Sequence, residues 1–198
     1  MDATRILPSS VPLRPHPQRD TLKAMHIAYI GVGANIPSHA GPPQATLAAA
    51  AEHLASLGQI IARSSLYSTQ PVGFADQPRF LNAVIALRTG LAPHTLLQRL
   101  LALERDFGRD RAHGIPNGPR TLDLDILLMD DLVLHEADLQ IPHPRLAQRA
   151  FVLVPLAEIA PGTPDPRTGR TVAQLLQALP PQTNAVQPIT GSQWSAAR

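Results

Sequence analysis

The sequence predicts an α+β protein built on one antiparallel sheet, and three observations carry the prediction. Between residues 26 and 129 the apolar segments follow the order β-α-β-β-α-β. Two of those segments have helical spacing, each with a proline at its start and a glycine at its stop. The last strand alternates leucine or isoleucine with aspartate, the period of two that a half-buried strand requires. This order is the ferredoxin-like arrangement, with both helices on one face of the sheet and, here, additional C-terminal elements.

Each element has a local reason. Residues 1–25 hold four prolines and no period, so they read as a flexible N-terminal tail. The first strand is His26 to Gly33, ending in the turn Ala34-Asn35-Ile36-Pro37. Pro42 to Gly58 reads as a helix, with Leu47 and Leu54 seven apart. Gln59 to Tyr67 is β-rich and reads as strand two. Thr69 to Pro78 contains prolines and a glycine and reads as a loop. Phe80 to Leu87 is strand three. Pro93 to Phe107 is a helix whose stripe is Leu96, Leu100, Leu103 and Phe107. A Gly/Pro/Arg-rich loop, Arg109 to Arg120, leads into strand four, Thr121 to Met129. After Asp130-Asp131 come a short apolar segment to His135, a helix over 151–159, a proline-rich loop over 161–170 and a helix from Thr171 to Leu179. The remainder reads as a polar tail. The domain plan is thus a tail (1–25), a folded domain (26–162) and a C-terminal extension with a short helix (163–198).

Composition narrows the function. Hydrophobic residues are 44% and charged residues 16%, enough for a core and too little charge for a disordered chain. No apolar run approaches the roughly 20 residues that span a bilayer. The start of the chain lacks a secretory pattern, and cysteine is absent, so a cytoplasmic protein is expected. All 17 basic residues are arginine except Lys23. Anions must therefore be held by guanidinium groups, and a Walker A loop is excluded because Ala24 follows Lys23. Few aromatic residues and a net charge of +2 argue against a nucleic-acid partner. The helices use up the apolar faces, so a monomer is expected, with no membrane partner.

The chemistry concentrates in Gly118-Pro119-Arg120-Thr121-Leu122-Asp123-Leu124-Asp125-Ile126. Asp123 and Asp125, two apart on a strand, face one way with Cα atoms roughly 6.5–7 Å apart. Like charges so placed repel unless a cation sits beside them, and Mg²⁺ suits such a pair. A solvated edge strand is the plain alternative. Arg109, Arg111 and Arg120 flank the pair, which makes a phosphoryl-transfer constellation or, alternatively, a surface ion-pair network. His143 sits between Pro142 and Pro144, either aimed at a phosphate or exposed in a turn. Phe80 and Phe151 are core filler or two rings for a planar ligand whose edge Asn82 reads. Gly31-Val32-Gly33 lacks the third glycine of a dinucleotide fingerprint, and neither a zincin motif nor a nucleophile elbow is present.

The Gly118–Ile126 stretch resembles the signature of the 6-hydroxymethyl-7,8-dihydropterin pyrophosphokinases of folate biosynthesis. The resemblance covers about residues 26–162. It includes Gly33-Ala34-Asn35, Thr69-Gln70-Pro71-Val72-Gly73, Asp76-Gln77-Pro78, Phe80-Leu81-Asn82 and Pro142-His143-Pro144-Arg145 followed by Phe151-Val152-Leu153. It implies a ferredoxin-like fold and transfer of the β,γ-diphosphate of ATP to the pterin hydroxymethyl oxygen, releasing AMP. It implies that Asp123 and Asp125 hold two Mg²⁺ ions and that Arg109 and Arg120 engage the phosphates. It places Glu104, Arg111, Ile126, His143 and Arg149 near ATP. Phe80 and Phe151 would sandwich the pterin, with Asn82 on its edge and Thr69 and Val72 at its loop. It also implies loops at 34–43, 69–79 and 109–120 that close over the substrates. Pro116 and Asn117 stand where relatives often carry a basic or polar residue and a tryptophan. Competing readings are a two-metal nucleotidyl transferase or cyclase on the same topology, a non-catalytic nucleotide- or pterin-binding module, and an RNA-binding module.

Overall fold

A computed structural model describes residues 24–111, 115–180, 186–190 and 194. Most of the expected N-terminal tail lies outside the described residues. Among the described residues, eight strands and four α-helices run in the order β1 (His26–Ala34), α1 (Pro43–Leu54), β2 (Gln59–Arg63), β3 (Tyr67–Thr69), β4 (Phe80–Thr89), α2 (Pro93–Asp106), β5 (Asp123–Met129), β6 (Leu134–His135), β7 (Gln140–Ile141), α3 (Ala150–Ile159), α4 (Val172–Gln177) and β8 (Val186–Pro188). The sheet order is β5-β1-β4-β3-β8, with β2 also paired to β4, and its pairings are antiparallel. β6 and β7 form a separate hairpin. No helix among the described residues is long and apolar enough to cross a membrane.

The expected helices α1 and α2 share one face of the sheet. Leu47 and Leu54 of α1 and Leu96, Leu100 and Leu103 of α2 pack with Ile30, Val32, Leu122, Leu124 and Ile126 in one buried cluster. The other face carries a second cluster, where Leu153 and Leu156 of α3 and Val172 and Leu175 of α4 cover Val84 and Leu127. That cover stops where the face changes chemistry. Further along the same face stand Asp123 and Asp125 on β5, Gly31 and Gly33 on β1, and Asn82 on β4. Carboxylates and an amide cannot be roofed by apolar helices without a large desolvation cost. The sheet is therefore double-covered at one end and open on one face at the other.

Strand two departs from expectation. Gln59 to Tyr67 is two strands on one neighbour, with Arg63 opposite Ile85 and Tyr67 opposite Asn82. Ser64 keeps the ladder through its own polar atoms: its N–H donates to the Val84 carbonyl at 3.0 Å, and its hydroxyl accepts from Val84 N–H at 2.9 Å. Ser65 then turns outward to Glu158 of α3, donating from N–H and Oγ at 2.9 and 2.8 Å. Tyr67 OH donates to the same carboxylate at 3.0 Å. Burial, then the Glu158 bond and its charge, push the Tyr67 phenol up to about 12. The kink carries the strand on to Thr69, which the sequence placed in a loop.

The C-terminal residues also exceed a polar tail. β8 pairs with β3, and Trp194 is 4% exposed. A three-residue strand containing a proline carries no usable period, so its partner is visible only in the fold.

Candidate active site

Strand register builds the floor of the open face. Gly33 pairs with Asp123 on one side and Asn82 on the other; Gly31 pairs with Asp125 and Val84. The central strand thus presents no side chain between the acids and the amide. A Cβ on Gly33 would lie 2.8 Å from Asn82 Oδ1, so a glycine there keeps the amide in place. Above this floor lies a cleft of about 750 Å³, a volume suited to small-molecule ligands.

The acids sit at one end. Asp123 Oδ2 accepts from Arg120 at 2.9 Å, and Oδ1 lies 3.5 Å from Arg109. Among the described residues, the basic side chains nearest Asp125 are Arg149 at 3.9 Å and the neutral ring of His143 at 4.0 Å. Burial at the cleft floor, then the negative charge of Asp123, push its carboxyl up to about 6. A pair of hard oxygen donors whose second member lacks a close cation is a fit for Mg²⁺. Arg109 stands beside this pair and lines the same cleft. Its Nε is buried with no hydrogen-bond partner among the described residues, and burial, only partly offset by Asp123, pulls its guanidinium below the ordinary value.

Arg120 is held from behind. Asn35, 3% exposed, accepts from Arg120 N–H at 2.7 Å, while its own N–H donates to the Arg120 carbonyl at 3.0 Å. Its Nδ2 donates to Gln77 Oε1 and to the Pro78 carbonyl, both at 3.0 Å. Gln77 in turn donates to the Asn117 carbonyl at 2.7 Å. The loops after β1, after β3 and before β5 meet at these amides. Asn117, with φ of 57°, takes the left-handed turn that its residue type tolerates.

Glu104 and Ile126, expected near ATP, do not line the cleft. Ile126 faces the opposite side of β5, in the core, because it is out of phase with the aspartates. Glu104 is 1% exposed and works beneath the site: it accepts from Arg111 Nε and NH2, both at 2.8 Å, and from Leu124 N–H at 2.8 Å. Burial raises its carboxyl despite these bonds. It aims Arg111 and fixes β5 one residue from each aspartate. Glu104→Ala strips the partner from a buried N–H, so a loss of roughly 2–3 kcal/mol is expected, since unsatisfied buried groups cost on that order. Thermal unfolding should show a fall of about 4–12 °C.

His143 hangs over Asp125 from the turn between β7 and α3. Its N–H donates to the Leu127 carbonyl at 2.9 Å, and its Nδ1 accepts from Arg145 N–H at 3.1 Å. An occupied Nδ1 leaves the neutral ring with its proton on Nε2, a donor facing the cleft. Burial, then Arg149 and Arg145, lower it to about 4. Between about 6.5 and about 4, the unfolded chain takes up a proton that the folded chain refuses. This group should therefore erode stability as pH falls through that window. Melting curves from pH 7 to pH 4 should fall less steeply for His143→Gln than for the parent.

The other end of the cleft is aromatic. Phe80 at the start of β4 and Phe151 on α3 both line it, with Thr69, Val72 and Asn82. Thr69 Oγ1 accepts from Asn82 Nδ2 at 2.7 Å, which fixes the amide's direction. Val72 is 67% exposed at the rim. Two arginines bridge the halves: Arg120 lies over the Phe80 ring at 5.1 Å and Arg149 over Phe151 at 5.4 Å. Arg109, Arg111, Arg120, Asp123, Asp125, His143 and Arg149 also line the cleft. Residues not singled out from sequence are Asn35, Gln77, Arg145, Gln148 and Val186. Asn35, Gln77 and Arg145 stood inside the motifs that carry the resemblance, but nothing local marked Val186.

The family model for 7,8-dihydro-6-hydroxymethylpterin-pyrophosphokinase matches residues 29–161. A 2-amino-4-hydroxy-6-hydroxymethyldihydropteridine pyrophosphokinase from Synechocystis is 44% identical over 166 residues, covering 83% of this chain and 80% of that protein. Proteins of the same name from Methylorubrum extorquens and Pseudomonas aeruginosa are also 44% identical, covering 78% and 77% of this chain and 94% and 91% of theirs. Among solved structures, Plasmodium falciparum HPPK-DHPS wild type superposes with a TM-score of 0.59 at 15% identity, which speaks to the fold. This chain covers 44% of that longer chain, with 78% of its own length aligned. The family model over residues 29–161, together with relatives 44% identical over most of both chains, makes this chain a member of the 7,8-dihydro-6-hydroxymethylpterin-pyrophosphokinase family.

Proposed function

We propose that this cleft transfers the β,γ-diphosphate of ATP to the hydroxymethyl oxygen of 6-hydroxymethyl-7,8-dihydropterin, releasing AMP, as a step of folate biosynthesis. The observation that carries the reading is the two-ended cleft. A carboxylate pair ringed by arginines lies within one cavity of an aromatic pair with a fixed amide. One end suits a polyphosphate and the other a flat heterocycle.

Asp123 and Asp125 would hold two Mg²⁺ ions, which when bound supply charge neutralisation for the phosphates and the leaving AMP. The chain's own groups do the positioning. Arg109 lines the cleft and brings its guanidinium to the phosphates, and Arg120 keeps Asp123 turned toward the cleft. Arg111, Arg145 and Arg149 add positive charge along the ATP side, and His143 presents its Nε2 proton there. Ile126 has its side chain in the core, so it can meet the nucleotide only through its main chain. Phe80 and Phe151 stack the pterin, and Asn82 reads its edge with the amide atoms that Thr69 leaves free. Phosphoryl transfer through a loose transition state needs alignment and charge more than a strong base. No general base is assigned; Asp123 is the one candidate among the site carboxylates. We extend the reading to a cytoplasmic monomer whose partners are these small molecules, with neither nucleic acid nor membrane.

Product analysis tests the reaction. With ATP, Mg²⁺ and the pterin together, chromatography should show AMP and a pterin diphosphate in equal amounts. Omitting any one should stop both. ADP as the product would contradict the proposal.

A further inference from the structure

The C-terminal segment beyond the family match reaches the substrate cleft. β8 closes the free edge of β3, with Val186 opposite Thr69, Gln187 opposite Ser68 and Pro188 opposite Tyr67. Ile189 N–H donates to the Leu66 carbonyl at 2.8 Å, extending the pairing. Val186 lines the cleft together with Thr69, Val72 and Phe80, at its aromatic end. Trp194 anchors the segment. Its indole N–H donates to the Ser64 carbonyl at 2.7 Å, and the Arg63 guanidinium sits 5.4 Å from its ring. Trp194 and Ile189 both pack against the main core.

The geometry matters because β3 is only three residues long and passes directly into the loop carrying Val72. A strand this short, with one edge open, is poorly fixed. Thr69 holds the amide of Asn82, so any shift of β3 moves the group that reads the ligand edge. The Ser64 carbonyl lies at the kink between β2 and β3, and Trp194 grips that point.

We infer that β8 and Trp194 are a working part of the pterin subsite, with Val186 as its outer wall and Trp194 as a positioning residue that holds β3. The inference rests on the proposed reaction. It assigns the segment to one substrate: β8 borders Thr69 and Phe80, while the carboxylates lie across the sheet on β5.

The test uses steady-state kinetics of the full chain, with Trp194→Ala, Trp194→Phe and Val186→Glu. Trp194→Ala should raise KM for the pterin about tenfold and leave KM for ATP within about twofold, as loss of one to two packing and hydrogen-bond contacts at a subsite implies. Trp194→Phe keeps the ring and should recover part of that loss. Val186→Glu sets a charge against the pterin face without disturbing the core, and should raise the same KM. Equal losses for both substrates, or a fall in kcat with both KM values unchanged, would mean general support of the sheet and overturn the inference. Unchanged kinetics in all three variants would also overturn it. Failure of the unaltered protein to make AMP would instead defeat the proposed reaction, and fluorescence titration of the pterin with the same variants would still decide the role of the segment.

Discussion

Asp125→Asn should abolish turnover and at the same time raise the melting temperature of the metal-free protein. The two effects have one cause. Two carboxylates on one face of β5 are useful only with a cation between or beside them, and without one they repel. Burial and Asp123 push the Asp125 carboxyl up to about 6, against an ordinary 3.8. A carboxyl raised on folding contributes most when protonated, so this group takes stability away as pH rises from about 4 through about 6. Above that window the shift corresponds to at most about 3 kcal/mol. The side chain is 38% exposed, so solvent screening reduces the figure to roughly 1–2 kcal/mol. The asparagine variant should melt about 2–8 °C higher than the parent at neutral pH without added metal. Mg²⁺ should then raise the melting temperature of the parent more than that of the variant. Turnover should fall by about 10³-fold or more, the scale seen when a principal charge stabiliser is removed. A variant that is less stable and still active would separate Asp125 from the metal role.

The second large effect is at the aromatic end. Phe151→Ala should weaken the pterin and spare ATP. Stacking of a heterocycle on an aromatic ring is worth about 1–3 kcal/mol by alanine substitution, or roughly 5- to 150-fold in affinity. The ring stands on α3 and is only partly buried against the second apolar cluster, so its removal should leave the fold intact. Arg149 loses the surface it lies over, which predicts a small change, within about threefold, for ATP. Fluorescence titration of the pterin and calorimetry with ATP would measure the two separately. Equal weakening of both ligands would contradict the division of the cleft into two ends.

Much of this site is legible in the sequence because its most demanding parts are local. The Leu122-Asp123-Leu124-Asp125-Ile126 alternation fixes which side chains share a face before any fold is known. The same alternation shows why Ile126 could not join them: it is out of phase with the acids and belongs to the core. Glu104 is a different case. Its place on the leucine stripe of α2 turns it inward, so it positions Arg111 and Leu124 rather than meeting a ligand. The double cover of the sheet was hidden because α3 follows the β-α-β-β-α-β order and is apolar but for Glu158, which leaves little periodic contrast to show which face it buries. The split of strand two was hidden because a serine hydroxyl can replace a backbone partner, as Ser64 does with Val84. β8 was hidden because three residues have no period. What the sequence could not express is therefore long-range pairing, and what it did express is the chemistry within single strands and loops.

The most direct measurement follows the phosphorus atoms of ATP. ATP labelled at the α-phosphorus and ATP labelled at the γ-phosphorus are each incubated with the protein, Mg²⁺ and 6-hydroxymethyl-7,8-dihydropterin, and the products are separated. Attack at the β-phosphorus predicts that all α-label appears in AMP and all transferred γ-label appears in the pterin diphosphate. Label from the α-phosphorus on the pterin would reveal a nucleotidyl transfer, and γ-label on a pterin monophosphate with ADP a simple kinase; either would contradict the account.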